Sequence, residues 1–160
     1  MFIQHMQYDK TFDEQKALRI FHEAMVWRKQ NNVYDISTNH FPSSYFDRHA
    51  IFLQNHDMNN LPLLYFVIRV FHKGHEDNEA VKRFITYNFE EYLRTHPGRR
   101  LVILFDLREI GLGHIDYDLV KYIINSLTHY YPGLLGMSIY SSHIGCFFCN
   151  FDFSSVYAYL

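Results

Sequence analysis

Asp106 closes the apolar run VILFD, and Gly111, Gly113 and then Asp116 follow it before a further apolar stretch. A carboxylate at a strand end, then a glycine loop and a helix, is an arrangement that nucleotide enzymes use, because glycine lets backbone N–H groups close on a phosphate. The spacing argues against that use here. A dinucleotide fingerprint needs three glycines, G-x-G-x-x-G, and the third position is Asp116. A carboxylate there would repel a pyrophosphate competing for the same amides. The loop also holds no Lys-Ser/Thr pair of the kind a P-loop needs. The glycines read as a strand-to-helix pivot, and Asp106 as a hydrogen-bonding residue of that loop.

Other clusters are weaker still. His143, Cys146 and Cys149 could bind a metal, but a structural zinc site needs four ligands in two matched pairs, and there is one C-x-x-C. His72 and His75 flank a strand-end loop beside Glu76 and Asp77, which a solvated turn explains equally well. No G-x-S-x-G marks a nucleophile elbow. The expectation is therefore a protein that is not an enzyme, with no catalytic residue, no metal and no cofactor.

The elements that would position any site follow from periodicity. Thr11 to Glu14 reads as a capping box for a helix over 11–30, with Leu18, Phe21 and Met25 on one face. Residues 37–47 read as a loop, with Pro42 inside it. Residues 50–54 form a short strand and 56–60 a turn of Asp and Asn. PLLYFVIRVF, 62–71, is the unbroken apolar pattern of a strand buried on both faces. Val81, Phe84, Ile85, Phe89 and Tyr92 give a helix over 76–95, stopped by His96-Pro97-Gly98. A strand over 101–107, a helix over 116–130 capped by Asp116, and a strand over 135–140 complete the order. Strands alternating with helices imply an α/β fold with parallel pairs. Arg69, inside an apolar run, calls for a partner, with Asp106 or Glu90 as candidates.

Composition sets the bounds. The 160 residues suit one domain, and a net charge of −2 offers no footprint for nucleic acid. Two cysteines are too few for a disulfide-stapled secreted domain. The first residues, MFIQHMQYDK, do not read as a signal peptide, and no run reaches the roughly 18 apolar residues of a membrane span. The expected location is cytoplasmic, with peripheral contact at the endoplasmic reticulum or other internal membranes left open. Fifteen Phe and 13 Tyr fit either a large core or an aromatic-lined apolar pocket.

The segment VILFDLREIGLGHIDYDLVKYIINSLTHYYPGLLGMSIY, 102–140, resembles the central part of CRAL-TRIO domains, with Asp106, Gly111, Tyr131, Pro132 and Ile139 at matching positions. FDEQKALRIFHEAMVWRKQNNVYDI, 12–36, resembles the helical segment that precedes such domains, including Trp27-Arg28. Among members, the likeness is to motile-sperm-domain proteins that carry a CRAL-TRIO module. The resemblance implies an incomplete CRAL-TRIO fold, shortened at its C-terminus: a mixed, mostly parallel sheet with flanking helices and a small N-terminal helical segment. Its parts are a helical segment over 1–36, a partial domain over 37–142 and a divergent apolar tail over 143–160.

It also implies a hydrophobic or lipid-like ligand on the sheet, exchanged at a transient membrane surface. Tyr65, Val67, Phe71, Leu101, Ile103, Phe105, Met137 and Ile139 are the candidate ligand-binding residues. Which sheet face they line stays open at this point. Phospholipid-exchanging members tend to carry hydroxyls where this chain has Leu101 and Ile103, which implies a less polar ligand. A protein-interaction module, for a small GTPase or another partner, and a non-functional truncated fragment are the alternatives.

Overall fold

The computed structural model describes residues 14–71, 77–109 and 116–141, the stretch 136–141 by its backbone. Helix α1, Glu14–Gln30, is built from good helix formers, and Arg28 and Lys29 in its last turn face the negative end of the helix dipole. Asn32, in the left-handed region at φ 48°, turns the chain away. The expected capping box begins at Thr11, outside the described residues.

Leu18, Phe21 and Met25 share one face of α1 as expected, and it is not the buried one. Leu18 is 67% exposed and Phe21 43%, whereas Ala24 is fully buried. The helix carries two apolar rows, and the row with the small Ala17 and Ala24 packs, together with Ile20 and Trp27. Small residues let a helix approach closely, and Trp27 finds a ring to stack on: Tyr130, with centroids 4.1 Å apart and planes 6° apart.

The expected loop over 37–47 is also more ordered than its composition suggests. Two 3₁₀ turns, Val33–Asp35 and Thr38–His40, lead into the short helix α2, Ser43–Asp47. Its aromatic residues do this: the Phe41, Tyr45 and Phe46 rings all lie 5.2–5.4 Å from the Phe84 ring. Strands β1, Ile51–His56, and β2, Pro62–Val67, form an antiparallel hairpin. Asp57 Oδ1 makes the turn by accepting from the Asn59 and Leu61 amides at 2.9 and 2.7 Å.

Strand β2 ends at Val67 instead of running to Phe71, and Ile68–Val70 is a 3₁₀ turn. A strand lasts while it has neighbours to bond. Val67 is the last β2 residue in register with β3, opposite Asp106. Helix α3, Asn78–Thr95, starts where the Asp77 side chain accepts from the Glu79 amide, and Gly98 at φ 77° follows its end. Strand β3 is Leu101–Asp106. Helix α4, Tyr117–Asn125, is capped as expected by Asp116, which accepts from the Asp118 and Leu119 amides at 2.9 and 3.2 Å. The helix then widens into a π-helical turn, Ser126–Tyr130, before β4, Leu135–Ser141.

The sheet order is β1-β2-β3-β4, with β2, β3 and β4 parallel. Two crossovers, through α3 and α4, step in the same direction across the sheet. Parallel crossovers are right-handed almost without exception, so two steps the same way lay both helices on one face. The packing agrees: Leu64, Phe66, Leu101 and Ile103 form one buried cluster with Val81, Phe84, Ile85, Phe89 and Tyr92 of α3 and with Leu119 and Ile123 of α4.

Candidate ligand-binding site

Alternation along β2 and β3 sorts their residues into two sets. Leu64 and Phe66 stand in register with Ile103 and Phe105, on the helix-covered face. Leu63, Tyr65 and Val67 stand in register with Val102, Leu104 and Asp106, on the opposite face. That second face is also apolar. Phe52 of β1 sits across from Tyr65, and their rings stack at 5.0 Å and 1° between planes. Phe52, Leu63, Tyr65 and Leu104 are all half-buried there, and Val102 is fully buried.

The eight residues expected from sequence therefore divide. Leu101 and Ile103 are fully buried in the helix-side cluster, Phe71 belongs to the same cluster, and Phe105 packs against it, 5.4 Å from the Phe66 ring. Tyr65 and Val67 lie on the opposite face. Met137 and Ile139 stand in backbone register with Val102 and Leu104. Phe52, Leu63 and Leu104 were missed. The alternation could have found Leu63, two residues before Tyr65 and on its face, whereas Leu104 lies between Ile103 and Phe105 and faces the other way. Leu101 and Ile103 lie beneath helices, so their apolar character says nothing about a ligand's polarity.

The end of the opposite face is polar and tightly bonded. Asp106, 4% exposed, accepts from Arg108 Nε at 2.8 Å, Arg108 Nη2 at 2.7 Å and the Arg108 amide at 3.1 Å. Arg69 Nη1 adds a fourth bond at 3.1 Å, which settles the partner of Arg69 in favour of Asp106. The Arg108 side chain, then its amide and Arg69, hold the Asp106 carboxyl well below the usual carboxylate range. Such a group is a poor proton acceptor. Its work is to fix the strand end and the turn after it, where Glu109 sits at φ 62°.

Glu90, the other candidate partner for Arg69, belongs elsewhere. It accepts from Arg28 Nη2 at 2.6 and 2.7 Å, and the Arg28 guanidinium also lies 5.3 Å from the centre of the Tyr131 ring. Burial, then the neighbouring Glu90 carboxylate, pushes the Tyr131 phenol well up. This clamp joins α1 to α3 on the outer side of the helix layer.

A separate open cleft of about 440 Å³ lies between the end of α1, α3 and Tyr122. Asp77, Glu79, Lys82 and Arg83 line it, so it offers little to an apolar ligand. Among the described residues, no three His, Cys, Asp or Glu side chains could together hold a metal ion. The Gly111–Gly113 loop, His72 to Glu76 and the His143, Cys146, Cys149 cluster lie outside the described residues. No described helix is long and apolar enough to cross a membrane.

This geometry, a mixed sheet with both crossover helices on one face, matches a known family. The CRAL/TRIO domain model covers residues 46–141. The chain belongs to the CRAL/TRIO domain family. A CRAL-TRIO domain-containing protein of Schizosaccharomyces pombe is 23% identical over 143 residues, covering 81% of this chain and 32% of that protein. The crystal structure of Sfh5 matches with a TM-score of 0.64 at 15% identity, over 99% of this chain and 63% of that one. At that identity the likeness speaks to the fold. The chain thus spans about a third of the length of its curated relative. CRAL/TRIO domains are generally lipid-binding and lipid-transfer modules and not enzymes.

Proposed function

We propose that this chain binds one hydrophobic, lipid-like molecule against the sheet face opposite α3 and α4, and exchanges it at membrane surfaces. The carrying observation is that face itself: Leu63, Tyr65, Val67 and Leu104 present apolar side chains away from the helices that fill the other side. Tyr65 and Val67 on β2, with Met137 and Ile139 on β4 at the far side of β3, remain the sequence-derived candidates, and Leu104 of β3 joins them. The driving force is removal of apolar area from water, about 2.5 kcal/mol for each 100 Å² of ligand and floor together. The Phe52–Tyr65 stack supplies a flat wall, and Asp106 with its two arginines closes the strand end in a polar rim. Among the described residues, the one carboxylate at the end of this face, Asp106, is held ionised by Arg108 and Arg69.

Native mass spectrometry tests this reading. The expressed chain, incubated with a cellular lipid extract, should carry one lipid per monomer. Leu104→Asp places a charge in the floor and should lose that lipid while keeping its circular dichroism spectrum. Lys121→Gln, an exposed change on α4, should load like the parent. A folded parent monomer that carries no lipid overturns the proposal.

A further inference from the structure

The end of the proposed floor carries more positive charge than its own carboxylate needs. Asp106, the last residue of β3, stands opposite Val67 on the floor side of the sheet. Each of its oxygens already accepts two hydrogen bonds: Oδ1 from the Arg108 amide and Arg108 Nε, Oδ2 from Arg108 Nη2 and Arg69 Nη1. A carboxylate filled in this way has no lone pair left to offer. One guanidinium would balance its charge, and two are present. The Arg69 and Arg108 side chains stay 41% and 55% exposed. Among the described residues, Arg69 Nη2 and Arg108 Nη1 are committed to no acceptor. Glu109 is the other carboxylate nearby, but its Oε2 lies 3.8 Å from Arg69 Nε, too far for a hydrogen bond, and its side chain is 82% exposed. A pair so open to water does not tie up Arg69.

The second arginine has a use if the ligand brings an anion of its own. We propose, resting on the lipid-binding reading above, that the molecule on the floor is an anionic amphiphile: its carboxylate or phosphate oxygens bond to Arg69 and Arg108 while its chain lies over Leu104 and Tyr65. Leu104 is two residues from Asp106 on the same face, about 7 Å along the strand, so a chain lying against it brings its end group to the arginines. A guanidinium offers a planar fork of N–H donors that fits either kind of oxyanion. Asp106 holds both forks in place before the ligand arrives, so little side-chain freedom is lost on binding. Asp106 is then a positioning residue, since its own oxygens are filled and repel an anion. A neutral lipid covering the same floor would strip water from the surplus charge and give it no partner.

The test uses the full chain, freed of co-purified lipid, and three probes that share one alkyl chain: lauric acid, dodecyl phosphate and dodecanol. At neutral pH the first two are anions and the third is not. At least one anion should bind about tenfold more tightly than dodecanol, the factor that a charge-assisted hydrogen bond supplies. Which anion binds more tightly tells a carboxylate ligand from a phosphate one. Arg69→Gln and Arg108→Gln each leave the other arginine on Asp106, so both variants should fold, and each should shrink the anion-to-alcohol ratio by about threefold or more. The ratio is the readout because a loosened floor would weaken all three probes alike. Arg83→Gln, which removes an exposed cation of α3 in the separate cleft, should keep the parent ratio. A parent that binds dodecanol as tightly as both anions overturns the inference and leaves the lipid-binding reading standing. So does a ratio that neither arginine variant moves. A parent that binds none of the three overturns that reading and this one with it.

Discussion

One face of the sheet is closed by Phe66, Leu101 and Ile103 against two helices, whereas the other carries Leu63, Tyr65 and Leu104, which remain half-buried. Their side chains have the same character, and what separates them is topology. Both crossovers step the same way, so both helices land on one side, and the other is left as an apolar face without them. In this chain the composition of a strand says that it is buried, while the direction of its connections says by what.

Neighbouring residues give the sharpest test of that difference. Ile103 and Leu104 are adjacent, but only Ile103 is under the helices. Ile103→Asp buries an uncompensated charge in a filled cluster, and its cost should approach the whole stability of a domain, about 5–15 kcal/mol. Leu104→Asp should cost about 1–2 kcal/mol, since a half-exposed carboxylate keeps part of its water. Urea denaturation monitored by circular dichroism would read both. Equal losses would mean that the second face is also closed by packing, and the proposed floor would go with it.

The same contrast explains how much was readable beforehand. The helix read over 76–95 and found over 78–95 was plain, because Val81, Phe84, Ile85, Phe89 and Tyr92 repeat at helical spacing and His96-Pro97-Gly98 stops it; its Asp77 cap was not read. Asp116 was equally plain as a cap. The face of each strand was not, because PLLYFV and LVILFD are apolar at nearly every position and so carry no alternation to read. Naming Leu101, Ile103 and Phe105 picked the helix side, and naming Tyr65 and Val67 the other. In helix α1 hydrophobicity did not say which face packs: Leu18, Phe21 and Met25 outweigh Ala17 and Ala24, but the smaller residues sit where the helix packs. The aromatic-pinned segment around α2 was hidden because its Ser, Asn and Pro look like loop.

At the rim of the proposed floor, Asp106→Asn should cost about 1–3 kcal/mol, since Arg69 and Arg108 lose the charge on their shared partner. Its pH dependence has a definite sign. The folded-state pKa of Asp106 is depressed, so its contribution is present above the unfolded value of about 3.9 and fades as pH falls through the lower folded value. The gap in melting temperature between parent and Asp106→Asn should be constant from neutral pH to about 5 and shrink below about 4. A gap that persisted undiminished to pH 2 would show that geometry, and not ionisation, is what Asp106 supplies.

The smallest effect is expected on the far side of the helix layer, where Arg28 holds Glu90. Glu90→Gln keeps the shape of the clamp and removes its charge, so a loss of about 1 kcal/mol is expected, because both side chains are still partly hydrated. Arg28→Lys should cost a similar amount by a different route: an ammonium cannot bond the carboxylate and spread over the Tyr34 and Tyr131 rings as the guanidinium does. Together the two changes should cost less than their sum, since either one already breaks the pair, and a double-mutant cycle in urea would show it. Lipid loading should be unchanged in all three variants, because the clamp touches only the covered side of the sheet. If Glu90→Gln lowered loading, the two faces would be coupled through the helix layer, and the separation between scaffold and floor would have to be redrawn as one cooperative unit.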